Sequence, residues 1–201
     1  KVVLSIDYMY VNGVPFLNTY SESIRFITTR QMSTNQTLAL ATIGEVKSFY
    51  GERGFQVAEI RADRAFEPIR GGLAGMQILL NTTSEAEHVG AIERLNRTLK
   101  ERIRGIYTEL MRVFGRVPGV LVRELVYFVV FWLNSLPPAD GVSETLSPRA
   151  LLTGLTIDFT KHCLLAFGDY VHTHEDGDNS MESRTLEALA LRPTGNRQGG
   201  H

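Results

Sequence analysis

The hydrophobic period of this chain changes once, near residue 87, and the change limits what it can fold into. Before it come short β-branched runs. Val2-Val3-Leu4-Ser5-Ile6-Asp7 reads as a strand ending in a carboxylate, and Asn12-Gly13 between Tyr8–Val11 and Val14–Leu17 predicts a hairpin. A further strand is expected over Ile24 to Thr28, completing a three-stranded antiparallel meander. Ser33 fits an N-cap, and Leu38, Ala41, Val46 and Phe49 support a helix to about Tyr50, stopped by Gly51 and Gly54. Phe55 to Ala62 predicts a fourth strand delivering Asp63 at its end. The Gly-rich stretch that follows carries a short helix at most, and Gln77 to Leu80 predicts a fifth strand. Past residue 87, Ile92, Leu95, Leu99, Ile103, Ile106 and Leu110 recur at steps of three and four, an amphipathic helix. Pro118 breaks it, and Val120 to Asn134 reads as a second, largely buried helix. The order predicts an α/β fold: a mixed five-stranded sheet, part antiparallel and part parallel, flanked by helices.

Beyond Pro137-Pro138 the pattern weakens. A short helix at Ser147–Thr153, strands at Phe167–His172 and Leu186–Leu191, and a loose Gly-rich end from Pro193 are expected. The division is therefore a core over 1–135 and a C-terminal extension over 136–201. With 201 residues, 43% of them apolar, the chain can bury a core and is not disordered as a whole. A net charge of −1 excludes a global basic field, so any nucleic-acid contact must come from local clustering. The lone Cys163 excludes an intramolecular disulfide and has no partner that marks it as a nucleophile. The longest apolar run, Leu125–Leu133, has nine residues against the ~20 a membrane helix needs, so no membrane is expected. Nor does the start read as a signal peptide, and without an initiator Met the chain is expected to be a fragment of an intracellular-type protein.

Three carboxylates stand at element ends: Asp7, Asp63 and Glu93. If the first and fourth strands are neighbours, all three converge on one sheet edge. Clustered carboxylates repel, and hard divalent cations relieve them. Oxygen donors favour Mg²⁺ or Mn²⁺, and two ions ~3.5–4 Å apart clamp an in-line phosphoryl displacement. The alternative is three unrelated exposed acids. On the helix wheel Glu93, Arg97, Lys100 and Arg104 share one stripe beside the apolar one. From Ala91 to Arg123 eight Lys or Arg face three Glu, a local balance that suits a phosphate backbone. The alternative is a solvated face with Glu93–Arg97 and Arg97–Glu101 pairs.

The run Gly90-Ala91-Ile92-Glu93-Arg94-Leu95-Asn96-Arg97-Thr98 resembles the signature helix of copia-type retrotransposon integrases, Gly-x-x-Glu-Arg-x-Asn-Arg-Thr. Asp63-Arg64-Ala65-Phe66-Glu67 resembles that family's Asp-Asn-Gly-x-Glu-Phe segment, and Ser5-Ile6-Asp7 its first-strand Asp. Trp132-Leu133-Asn134-Ser135-Leu136-Pro137, Leu146-Ser147-Pro148-Arg149 and Phe167-Gly168-Asp169 resemble its downstream elements, so the likeness runs from about Val2 to Leu191. The resemblance implies an RNase H-like fold and the joining of retroelement DNA ends to target DNA. Asp7, Asp63 and Glu93 would be catalytic ligands of two Mg²⁺ (or Mn²⁺) ions, and Arg97, Lys100 and Arg104 DNA-binding. It further implies a homo-oligomer that works in the nucleus. The chain departs from the family in having Arg64-Ala65 for Asn-Gly, 29 residues between Asp63 and Glu93, and no His/Cys zinc module. A catalytically inactive DNA-binding or assembly module, or a structure-specific nuclease, are the competing readings.

Several other residues have simpler explanations. His172, His174, Glu175, Asp176 and Asp178 form a polar loop that could bind a metal but need not. Glu85 and Glu87 are expected to sit at a helix N-terminus, where acids are favoured. His88 is near enough to Gly90 to touch a substrate or to play a structural part. Trp132, Tyr127, Phe128 and Phe131 are expected in the core.

Overall fold

The structure, a computed structural model, describes residues 1–33, 36–82, 90–174, 181 and 184–200, with the backbone alone at 36 and 37. Two compact units divide the chain: residues 1–102 with 132–156, and residues 103–131 with 157–201.

The first unit is built on a five-stranded sheet. Its strands are β1 (Val2–Val11), β2 (Val14–Ser21), β3 (Ile27–Gln31), β4 (Val57–Ala62) and β5 (Leu79–Thr82), in the order β3-β2-β1-β4-β5. The first three are antiparallel, while β4 and β5 run parallel to β1. The β1–β2 turn is the expected one: Asn12 and Gly13 both take positive φ (48° and 79°), which a two-residue hairpin of matching twist requires. Helix α1 (Gln36–Gly51) packs Ala39, Ile43, Val46 and Tyr50 into one core with Val2, Leu4, Ile6, Ile60 and Leu80. A 3₁₀ helix (Arg64–Ile69) and α2 (Arg70–Gly75) connect β4 to β5, and α3 (Gly90–Phe114) follows.

Of the boundaries in this unit that differ from the sequence expectation, three have a clear local reason. Asp7 does not end its strand, because β2 pairs with β1 all the way to the Val11–Val14 closure, so Asp7 lies mid-strand opposite Asn18. The third strand starts at Ile27 rather than Ile24, since Arg25 adopts φ 67° in a turn closed by Arg25 N–H on the Ser21 carbonyl. The fifth starts at Leu79 because Gln77 takes φ 59° as the chain leaves α2.

The first unit also holds the end of α4 (Gly119–Ser135) and α5 (Pro148–Thr153). Ser147 caps α5 by accepting from Ala150 N–H at 3.2 Å, with Pro148 in the first helical position. Asn134 of α4 accepts from Ile27 N–H and donates to Ile27 C=O, both at 2.8 Å.

The second unit takes the later part of α3, most of α4, the short α6 (Phe159–His162) and a hairpin of β6 (Tyr170–His174) and β7 (Thr185–Leu189). These strands also differ from the expected Phe167–His172 and Leu186–Leu191, because Gly168, at φ 90°, and Asp169 form a turn tied to Ala190. Phe128 packs on Phe167 with ring centroids 5.2 Å apart, and Leu125, Val126, Val129 and Val130 are buried. Phe131 is buried as expected, whereas Tyr127, Phe128 and Trp132 are half-buried. No helix among the described residues is long and apolar enough to cross a membrane.

Candidate carboxylate site

The β1–β4 register decides where the acids go. Val3, Leu4 and Ser5 pair with Glu59, Ile60 and Arg61, so Asp7 and Asp63 each lie two residues beyond the last pair, on the same side of the sheet. Asp7 is level with Asn18, and Asn18 with Thr29. Thr29, Asn18 and Asp7 thus form a transverse polar row across three strands, and Asp63, the residue just past the end of β4, continues it.

Helix α3 meets this row through Asn96. Its amide accepts from Asn18 Nδ2 at 2.7 Å and donates to Asp7 Oδ2 at 2.8 Å, while Asp7 Oδ1 accepts from Tyr8 N–H at 2.7 Å. Thr29 Oγ1 donates to Asn18 Oδ1, extending the chain to the third strand. Asn18 and Asn96 are buried, so these hydrogen bonds satisfy groups that would be costly to leave unpaired.

Asp7 is the strained member. Burial pushes its carboxyl up to about 6, and the nearby charges of Asp63 and Glu93 push the same way against the Tyr8 and Asn96 hydrogen bonds. Glu93, in the first turn of α3, and Asp63, after β4, therefore share one electrostatic neighbourhood with Asp7. Asp63 is exposed and caps the 3₁₀ helix, accepting from Ala65 N–H at 2.9 Å. The segment behind it is pinned by Glu67, which pairs with Arg70 Nε and Nη2 at 2.7 Å and accepts from Thr82 Oγ1 at 2.8 Å. Those donors hold Glu67 well below the usual carboxylate range, at about 2.

A carboxyl pushed up by burial and by two neighbouring carboxylates belongs to a donor set that a hard divalent cation satisfies. Among the described residues, however, no three His, Cys, Asp or Glu side chains stand at metal-ligand spacing. Arg97, Lys100 and Arg104 are all exposed on α3 and form no ion pair among the described residues, so the Glu93–Arg97 and Arg97–Glu101 pairs of the alternative reading are not made there.

Sequence reasoning gave Asn18 and Asn96 no role. The signal for Asn96 was present: it stands four residues after Ile92 and three before Leu99, inside the apolar stripe, where an amide must find a partner. His172 and His174 lie on β6 and are largely exposed, while Glu175, Asp176 and Asp178, like Glu85, Glu87 and His88, fall outside the described residues. Cys163 is free and exposed.

No family model and no curated protein matches the chain. Among solved structures it is similar to the catalytic core domain of BIV integrase, at 13% sequence identity and a TM-score of 0.54, over 76% of this chain and 93% of that one. At that identity the likeness is one of fold. The chain shares the fold of that core, an RNase H-like mixed five-stranded sheet flanked by helices.

Proposed function

We propose that this chain is the catalytic core of a copia-type retrotransposon integrase, a polynucleotidyl transferase that joins element DNA ends to target DNA in the nucleus as a homo-oligomer. The observation that carries the reading is that Asp7 on β1 and Asp63, just past the end of the adjacent parallel β4, stand two residues beyond the same strand pair, with Glu93 charge-coupled to Asp7 from α3. In this reading Asp7, Asp63 and Glu93 hold two Mg²⁺ or Mn²⁺ ions. When bound, such ions neutralise charge on the reacting phosphate and activate the attacking oxygen.

The protein's own groups then have distinct tasks. The Asn96 amide and Tyr8 N–H fix the two oxygens of Asp7, which is ionised above about pH 6. Arg97, Lys100 and Arg104 bind the phosphate backbone along α3. A 3′-hydroxyl oxygen attacks the target phosphorus, and a new P–O bond forms as the bond to the target's own 3′ oxygen breaks. The attacking hydroxyl's proton passes to water, and the departing oxygen takes a proton from water to leave as a free 3′-hydroxyl.

A second reading, a non-catalytic DNA-binding or assembly module of the same origin, draws on the cap that Asp63 already makes and on the open spacing of the acids. A strand-transfer assay with Mg²⁺ or Mn²⁺ on wild type and Asp63→Asn separates the two. The catalytic reading expects joining that the variant loses by about a thousandfold, with DNA binding kept. Binding without joining in the wild type, with the flanking domains restored, would establish the module instead, and cleavage without joining would indicate a nuclease.

A further inference from the structure

The first unit contains a cavity of about 200 Å³ between the β2–β3 side of the sheet, the first turns of α3 and the segment around residues 138–148. Its polar groups are Tyr20, Arg25, Arg94, Thr98 and Asp140. Ile27, Leu95, Leu133, Pro138 and Pro148 supply an apolar lining.

Arg25 is held in place at a conformational cost. Its backbone occupies the left-handed region at φ 67°, where non-glycine residues are strained. Its guanidinium donates to Tyr20 Oη at 3.1 Å and pairs with Asp140 Oδ2 at 3.0 Å. The Arg25 side chain is only 25% exposed, whereas Asp140 is 74% exposed, so the cation is built into the wall and the carboxylate stands at the rim. Arg94 forms no ion pair among the described residues, and its charge is felt at Tyr20. Arg25 is thus paired with one exposed carboxylate, and Arg94 lines the same cavity.

We infer that this cavity binds a small carboxylate with an apolar body of about one ring, whose carboxylate replaces Asp140 on Arg25 and gains Arg94. Asp140 is already the kind of group Arg25 recognises, and guanidinium–carboxylate pairing is favoured by geometry as well as charge. The size fits, since a dry cavity of ~150 Å³ takes benzene. Inorganic phosphate has no apolar part to cover the five aliphatic and proline side chains. The inference does not depend on the chain being an integrase.

Benzoate is the probe, titrated into the full chain and followed by the side-chain N–H signals of its arginines, with benzamide and inorganic phosphate as controls. Benzoate is expected to shift the Arg25 and Arg94 signals saturably and to bind about tenfold more tightly than benzamide. Arg94→Gln is expected to weaken it about tenfold, and Asp140→Asn, by removing the exposed competitor, to tighten it about two- to fivefold. Both positions are exposed, so both variants should fold. No saturable binding, equal binding of benzamide, displacement of benzoate by equimolar phosphate, or weaker binding by Asp140→Asn would each overturn the assignment.

Discussion

The two faces of the five-stranded sheet are made from the same strands and do opposite work. On β1 alone, Val2, Leu4 and Ile6 enter the core against α1, while Ser5 and Asp7 point to the other side. The apolar face stabilises through area removed from water, about 1.5–3 kcal/mol for each fully buried large side chain. The polar face joins Thr29, Asn18, Asn96 and Asp7 by hydrogen bonds, each worth about 0.5–1.5 kcal/mol net. It also holds a carboxyl pushed up to about 6. The second face therefore mixes stabilising contacts, Met9 and Phe16 buried beside the hydrogen-bonded row, with one carboxyl whose burial costs stability.

Substitutions can break that contrast. The largest expected effect is on the apolar face: Ile60→Ala should cost about 2–5 kcal/mol in denaturant unfolding, because Ile60 is fully buried and the cavity cannot close. On the polar face Asn96→Ala should cost about 1–3 kcal/mol by stranding the buried Asn18 amide. It should also raise the Asp7 pKa further, readable by carbon NMR of the carboxyl, since the Asn96 hydrogen bond holds it down.

Asp7→Asn should have the opposite sign. In the folded chain the carboxyl titrates near 6, above its ordinary 3.8, so between these values the folded state binds more protons than the unfolded one. Metal-free stability should therefore fall as pH rises from about 4 to about 6 and level off above. The variant should lose that slope and gain roughly 1 kcal/mol at pH 7, allowing for solvent screening of a partly exposed group. A calorimetric pH series with an unchanged slope in the variant would move the strain elsewhere. The smallest effects belong to the helix surface. Gln at Arg97, Lys100 or Arg104 should leave stability within about 0.5 kcal/mol. Each should lower the log–log salt dependence of DNA binding by about 0.9 per lost phosphate contact.

What the sequence made legible was local or periodic. Asn12-Gly13 specifies its turn by backbone conformation alone, and the stripe from Ile92 to Leu110 specifies α3 by burial. The β-branched run of β1 and the imperfect alternation before Ala62 were enough to expect two strands with acids near their ends, but not that the two are neighbours. The positive φ at Arg25 and Gln77 was not legible, because nothing about arginine or glutamine asks for it. Nor was the mid-strand place of Asp7, which depends on how far β2 stays paired. Asn18 and Asn96 illustrate the same limit at the site: their partners lie 78 and 89 residues away in sequence, Asn18 meeting Asn96 and Asn96 meeting Asp7.

Asn134 carries a consequence for how this sheet ends. Sheets grow by offering main-chain donors and acceptors along an outer strand, and β3 is such a strand. At Ile27, its first residue, one carboxamide accepts from the N–H and donates to the C=O, as a peptide group of another chain would. The side chain is in effect a sixth strand one residue long. A foreign strand seeking to begin its ladder there would first have to evict it, so the protein resists recruitment into larger β-assemblies at that position without a proline, a bulge or a charge.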